Sequence, residues 1–210
     1  MLCTLDDSYK NLIMTILPLV YYGSTEYWSA LINGGKDVII DIGEHYVKRS
    51  DRNRTEIMTA GGVMQLSVQL RHANKPRQPM RKMEIDYSKR WQHQHLVAIE
   101  SAYRSSPYYE HYGELFKPLF EREWHYLVDL NLAILELMCK ILRVPMPRIS
   151  KEYVVASEGD IDMRKKRHET EFIAKPYIQV FSDRMPFEPN LSIFDLVMCE
   201  GRGALAFLKR

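Results

Sequence analysis

Trp91, His95, Ile99 and Tyr103 recur at intervals of four. On a helix that spacing lays all four along one stripe. The stripe presents an indole N–H, an imidazole and a phenol around a single apolar residue. An imidazole titrates near neutrality and suits a general base. A phenol can donate a hydrogen bond to developing negative charge. The competing reading is a packing face whose three polar tips find backbone partners.

A second constellation, Lys48-Arg49-Ser50-Asp51-Arg52-Asn53-Arg54, follows directly on the apolar run Val38–Ile42. If that run is a parallel strand, the turn lies beyond its carboxyl end, where α/β sheets tend to bind ligands. Arginine there could clamp phosphate or carboxylate in a fork and lysine could act as a point charge. The wider charge balance points the same way. The chain is only +2 overall, yet Lys48 to Arg90 carries eleven basic residues against four acids, which leaves −5 on the remainder. Such an excess suggests an anionic ligand or partner, although solvated surface charges often do nothing measurable.

Several signatures are missing: no G-x-G-x-x-G, Walker loop, G-x-S-x-G elbow or H-E-x-x-H occurs. His93 and His95 are two apart, so on a helix they point away from each other and cannot share a metal ion unaided. No metal is expected, and no cofactor is named by any motif. Cys3, Cys139 and Cys199 have neither paired nor metal-ligand spacing and are expected to be structural.

The surrounding pattern supplies the scaffold. Leu12–Val20 reads as a buried strand, Ser24 as a helix cap, Gly34-Gly35 as its stop, and Lys36–Ile42 as a second buried strand. This is a βαβ unit, whose strands run parallel. Thr55–Ala60 and Val63–Leu70 flank Gly61-Gly62 as a hairpin, and Lys82–Tyr87 reads as a further short strand. Residues 71–81, with Pro76 and Pro79, read as an exposed loop. A helical lobe spans about 88–144: a helix capped by Ser88 and running to Ser106, a second over 108–117, and a long third over about 119–144. Tyr153–Val155 and Tyr177–Phe181 read as strands, and Ser192 caps a final helix. The expectation is an α/β domain over 1–210 with a mixed β-sheet and a central helical lobe.

With 210 residues, 46% apolar and 27% charged, the chain can bury a full core. No apolar run reaches the length needed to span a bilayer, and the N-terminal segment lacks a basic stretch ahead of its apolar one. A cytoplasmic location is therefore expected.

At these residues the chain resembles the WbqC-like family, bacterial proteins whose genes often lie in O-antigen and capsule clusters. The resemblance rests on Glu44-His45-Tyr46-Val47-Lys48-Arg49-Ser50-Asp51-Arg52-Asn53-Arg54, Leu66-Ser67-Val68, Trp91-Gln92-His93-Gln94-His95 and Ser101-Ala102-Tyr103-Arg104-Ser105-Ser106-Pro107. It continues through Leu130-Asn131 and Pro189-Asn190-Leu191-Ser192-Ile193-Phe194-Asp195. One departure is plain. Many members carry a Gln-Pro-x-Tyr-x-Pro block after the first strand, where this chain reads Ile16-Leu17-Pro18-Leu19-Val20-Tyr21-Tyr22-Gly23-Ser24. The resemblance implies a role in surface-polysaccharide assembly.

Together these readings predict a group-transfer enzyme acting on a phosphate-bearing activated sugar or acyl donor, such as a nucleotide sugar or an acyl carrier thioester. Lys48, Arg52 and Arg54 would hold the anion and Asn53 would orient it. His95 would be the base and Tyr103 the hydrogen-bond donor, with Trp91, Asn190 and Asp195 completing the site. A nucleic-acid partner is disfavoured, because the pI is only about 8.3 and acids crowd the rest of the chain. The alternative is an accessory protein of the same pathway that binds without turnover and makes no demand on His95. The catalytic reading requires the cationic turn and the helix stripe to converge on one hollow.

Overall fold

The computed structural model describes residues 13–165 and 172–210. Its centre is a parallel four-stranded sheet in the order β5-β2-β1-β6. The strands are β1 (Thr15–Pro18), β2 (Val38–Asp41), β5 (Arg148–Ser150) and β6 (Ile161–Asp162). β1 and β2 pair in register from Thr15↔Val38 to Pro18↔Asp41, and every residue in both is buried. Near-continuous apolar runs are what a parallel sheet covered on both faces requires.

Helix α1 (Thr25–Asn33) joins β1 to β2. Ser24 caps it, its Oγ accepting the Tyr27 N–H at 3.4 Å. Gly34 ends it where no side chain fits, since a Cβ there would lie 2.5 Å from Val38 Cγ2. The predicted βαβ unit is thus present, and the α/β class with it. The antiparallel pair β3 (Arg54–Thr59) and β4 (Gly62–Ser67) forms a separate two-stranded sheet, so the antiparallel and parallel strands do not share one mixed sheet.

The helical lobe consists of α2 (Trp91–Tyr103), α3 (Tyr109–Glu121) and α4 (Leu127–Leu142). Three predicted boundaries need correction. Ser88 does not cap α2; its N–H is held by Asp86 Oδ1 at 2.8 Å in a local turn, and the helix starts three residues later. Pro118 neither ends nor separates α3, which runs through it to Glu121. The long helix therefore begins at Leu127, after a break in which the Trp124 N–H donates to Tyr87 Oη at 2.6 Å. α4 ends at Arg143 in the left-handed region, ahead of Pro145 and Pro147.

Three predicted strands are also corrected. Segment 82–87 enters no ladder beyond the single bridges Leu70↔Ile85 and Glu84↔Tyr126. Tyr153–Val155 is irregular, because the edge of the sheet is taken by Arg148–Ser150 instead. Tyr177–Phe181 is irregular too, held by side chains: Gln179 Nε2 donates to Glu188 O at 2.8 Å while its Oε1 accepts the Glu188 N–H at 2.9 Å.

The chain closes with α5 (Ile193–Glu200), capped as predicted by Ser192 Oγ on the Phe194 N–H, and the short α6 (Ala204–Leu208). One apolar cluster runs from Leu17 in β1 through Trp28, Trp91, Phe116 and Phe194 to Leu208. Cys139 and Cys199 lie buried in this body, and burial pushes the Cys139 thiol up to about 12. Cys3 and the other residues of segment 1–12 lie outside the described residues, as do Lys166 and Arg167 of the basic run Arg164-Lys165-Lys166-Arg167. Among the described residues no helix is long and apolar enough to cross a membrane.

Candidate functional site

The order of the parallel sheet fixes where a ligand can enter. From β1 the chain crosses to β2 on one side; from β5 it returns to β6 on the other side of β1. The carboxyl ends of β1 and β6 therefore flank a switch in winding direction, the place where open α/β sheets leave a crevice. A cleft of about 450 Å³ lies at that point. Its floor is Pro18 and Val20, just past β1, and one wall is Met163 and Lys165, just past β6. The opposite walls are Ser24 and Glu26 of α1, the turn from Arg49 to Arg54, and Glu56 with Gln65 across the hairpin. Asn190 and Ser192 close the remaining side.

The turn is rigid because Arg52 is built into the protein. Its Nε donates to Glu44 Oε1 at 2.8 Å and its Nη2 to the Arg164 carbonyl at 3.0 Å, while Nη1 reaches Ser50 Oγ at 3.2 Å. Arg52 and Glu44 are 2% and 4% exposed, so water screens their attraction little. Burial pushes the Glu44 carboxyl up, and the hydrogen bond and charge of Arg52 pull it back. Asn131 on α4 anchors the same turn from below, donating Nδ2 to the Arg52 carbonyl at 2.7 Å. A second buried pair, Arg164 with Asp41, fixes the exit from β6, helped by Asp162, whose Oδ2 accepts from Arg164 Nη2 at 2.7 Å.

These commitments sort the cations. Arg52 lines the cleft but spends its fork on Glu44. Lys48 is exposed, donates to the Asn74 carbonyl at 2.7 Å and lies outside the cleft lining. Asn53 also faces inward: Nδ2 donates to Val68 O at 2.9 Å and Oδ1 accepts from Tyr46 Oη at 2.8 Å. Arg54 differs. It is half-buried in the cleft wall, and its Nε is buried with no hydrogen-bond partner. Arg49 and Lys165 are exposed on the lining, and among the described residues neither makes an ion pair with a carboxylate. The cations on the cleft lining that are not committed to a buried carboxylate are thus Arg54, Arg49 and Lys165.

The helix stripe does not reach this hollow. Trp91, His95 and Tyr103 are 1%, 4% and 0% exposed, and none lines the cleft. His95 Nδ1 lies 2.9 Å from Tyr21 Oη, and its ring packs edge-on against Trp91 with centroids 5.2 Å apart. Burial lowers its pKa from 6.5 to about 4, opposed by a backbone hydrogen bond at Ser67. Tyr103 Oη donates to Asp195 Oδ1 at 2.7 Å and accepts the Met58 N–H at 3.2 Å. Asp195 is fully buried; burial pushes its carboxyl up, and hydrogen bonds from Tyr177 and Tyr103 pull it down. These side chains join α2, α5 and β3. The convergence required of the stripe and the turn is absent, because the stripe faces the core.

Asn190 does line the cleft, in a role tied to α1. At φ +60° its Oδ1 accepts the Glu26 N–H at 2.9 Å, and its Nδ2 donates to Glu26 Oε2 at 3.2 Å. Thr25 N–H goes to the Leu191 carbonyl at 3.0 Å. The donors at the start of α1 are therefore taken by the chain, and its dipole is not open to an anion through bare N–H groups. Gly23, at φ +75°, makes this approach possible: a Cβ would lie 2.8 Å from Tyr27 Cδ1.

Sequence reasoning missed Glu26, Glu56, Gln65 and Lys165. Lys165 stood in a basic run, but nothing in the sequence said that the run follows a strand. Glu26, Glu56 and Gln65 reach the cleft only through the docking of segment 190–192 and the hairpin, as the Ser192 N–H to Glu56 O bond at 2.8 Å shows. No group of three or more His, Cys, Asp or Glu able to hold a metal occurs among the described residues. No curated protein and no solved structure matches the chain. The family model for WbqC-like proteins does match, over residues 21–180, a span that takes in the cationic turn, the hairpin, the helical lobe and β6; the chain belongs to the WbqC-like protein family.

Proposed function

We propose that this protein is a group-transfer enzyme of bacterial surface-polysaccharide assembly that holds a phosphate-bearing activated sugar or acyl donor in the cleft between β1 and β6. The observation that carries the reading is the unpaired, buried Nε of Arg54 at the carboxyl end of a parallel sheet. A buried guanidinium nitrogen without a partner is costly, and a phosphate or carboxylate oxygen would satisfy it. Arg49 and Lys165 supply further positive charge from the rim. The same lining offers Ser24, Gln65 and Glu56, donors and acceptors suited to sugar hydroxyls. In the transfer an acceptor hydroxyl oxygen bonds to the donor's sugar or acyl carbon, the phosphate-bearing group leaves with the electron pair of the broken bond, and the hydroxyl proton passes to a cleft carboxylate. We assign that role to Glu26, which lines the cleft and accepts from Asn190 Nδ2. His95 and Tyr103 then act as structural residues that hold the core together.

The inaccessibility of His95 and Tyr103 also favours a second reading, in which the cleft binds the same donor without turnover. Calorimetric titration with nucleotide sugars, coenzyme A esters and the corresponding neutral sugars tests both. A phosphate-bearing donor is expected to bind, with Arg54→Ala weakening it about tenfold or more. Equal binding of neutral sugars, or indifference to R54A, overturns the site. If R54A abolishes binding but Glu26→Gln leaves pathway product unchanged, the accessory role stands.

A further inference from the structure

The basic excess is not absorbed by the cleft. Segments 44–48 and 74–80 lie side by side: the Tyr46 N–H donates to Gln78 O at 2.8 Å, His45 bridges to Pro79, and Lys48 Nζ reaches Asn74 O. This brings Lys48 next to Lys75 and Arg77, with Arg49 continuing the row to the cleft rim. All four are exposed, and among the described residues none is ion-paired with a carboxylate. Residues 71–82 hold five cations and no acid. Arg49, His72 and Arg77 are also held at φ of 54°, 54° and 51°, a backbone state that L-residues adopt at some cost. Like charges are gathered on a fixed surface instead of being spread over flexible loops.

We infer that this face docks an acidic protein surface. Charge alone would also fit a membrane or a nucleic acid, but two common marks of such partners are missing from this face. Membrane-binding surfaces combine cations with inserted apolar side chains, and single strands are held by stacking on aromatic rings. Between residues 65 and 96 no large apolar side chain and no Phe, Tyr or Trp ring is exposed. Tyr46 is half-buried with its hydroxyl on Asn53. What remains is a set of guanidinium and ammonium groups, which match carboxylates directly. The partner meets the protein at the mouth of the cleft, and this docking does not depend on the reading of what the cleft holds.

Fluorescence anisotropy with a labelled glutamate-rich helical peptide tests the inference on the full chain. The peptide is expected to bind, and Lys75→Glu with Arg77→Glu to weaken it about tenfold, while Arg104→Glu on the end of α2 leaves it unchanged. Unlabelled anionic phosphatidylserine vesicles and oligo(dT), at the same salt and equal total charge, are expected to displace it poorly. Peptide binding indifferent to the double substitution, or displaced readily by either competitor, overturns the proposal.

Discussion

The Tyr21 hydroxyl lies 2.9 Å from Nδ1 of His95, and this contact ties the turn after β1 to helix α2 across the core. Burial holds His95 neutral, with a pKa of about 4 against an ordinary 6.5. The folded protein resists a proton that the unfolded chain accepts, so this residue's contribution is complete above pH 6.5 and is lost as pH falls toward 4. The full effect approaches about 3 kcal/mol. Urea titrations of the wild type and His95→Gln at pH 7, 5.5 and 4 should show the gap in stability shifting in favour of the variant with acidification. Carboxylates that titrate in the same range cancel in that difference.

Tyr103→Phe removes one hydroxyl but strands two partners, Asp195 Oδ1 and the Met58 N–H. A loss of about 1–3 kcal/mol is expected, with donor affinity unchanged. A reduced denaturant midpoint beside an unaltered binding isotherm would establish the hydroxyl as structural.

Arg52→Ala should be the most damaging change in the turn, because it leaves the Glu44 carboxylate buried without its partner. The expected cost is about 3–5 kcal/mol, while the joint replacement Glu44→Leu with Arg52→Met should recover much of it. Arg54→Ala, two residues on, should lie within about 1 kcal/mol of the wild type in stability and lose the anion. Thermal melts with and without nucleotide sugar separate the two arginines.

Asn190→Ala removes the acceptor that closes the start of α1 and the donor that orients Glu26. Stability should fall by about 0.5–2 kcal/mol, as for loss of a helix cap, with an added penalty for alanine at φ +60°. Asn190→Gly keeps the backbone freedom without the side chain, so comparison of the two melts isolates the amide.

Much of the scaffold was legible because its signals are local. The apolar runs at Leu12–Val20 and Val38–Ile42, the caps at Ser24 and Ser192 and the Gly61-Gly62 turn each depend on a few adjacent residues. The site was less so. Lys48, Arg52 and Arg54 look alike in sequence, yet one is paired to Glu44, one rests on a carbonyl and only one lines the cleft with a buried nitrogen left without a partner. Likewise the four-residue spacing from Trp91 to Tyr103 correctly gave a shared helix face. It could not say that Tyr21, Met58 and Asp195 would meet that face from distant elements. The strand predicted at Tyr177–Phe181 failed for the same reason, since its backbone is settled by Gln179 and Glu188.

The first amides of α1 are already answered by Asn190, Leu191 and Ser24, so an anion in the proposed site would meet side chains that project from outside the parallel sheet. Exchange of Arg49, Arg54 or Lys165 leaves the parallel strands and both buried ion pairs untouched. A lineage can therefore retune what it accepts by point substitution at the crevice mouth while inheriting an unchanged chassis.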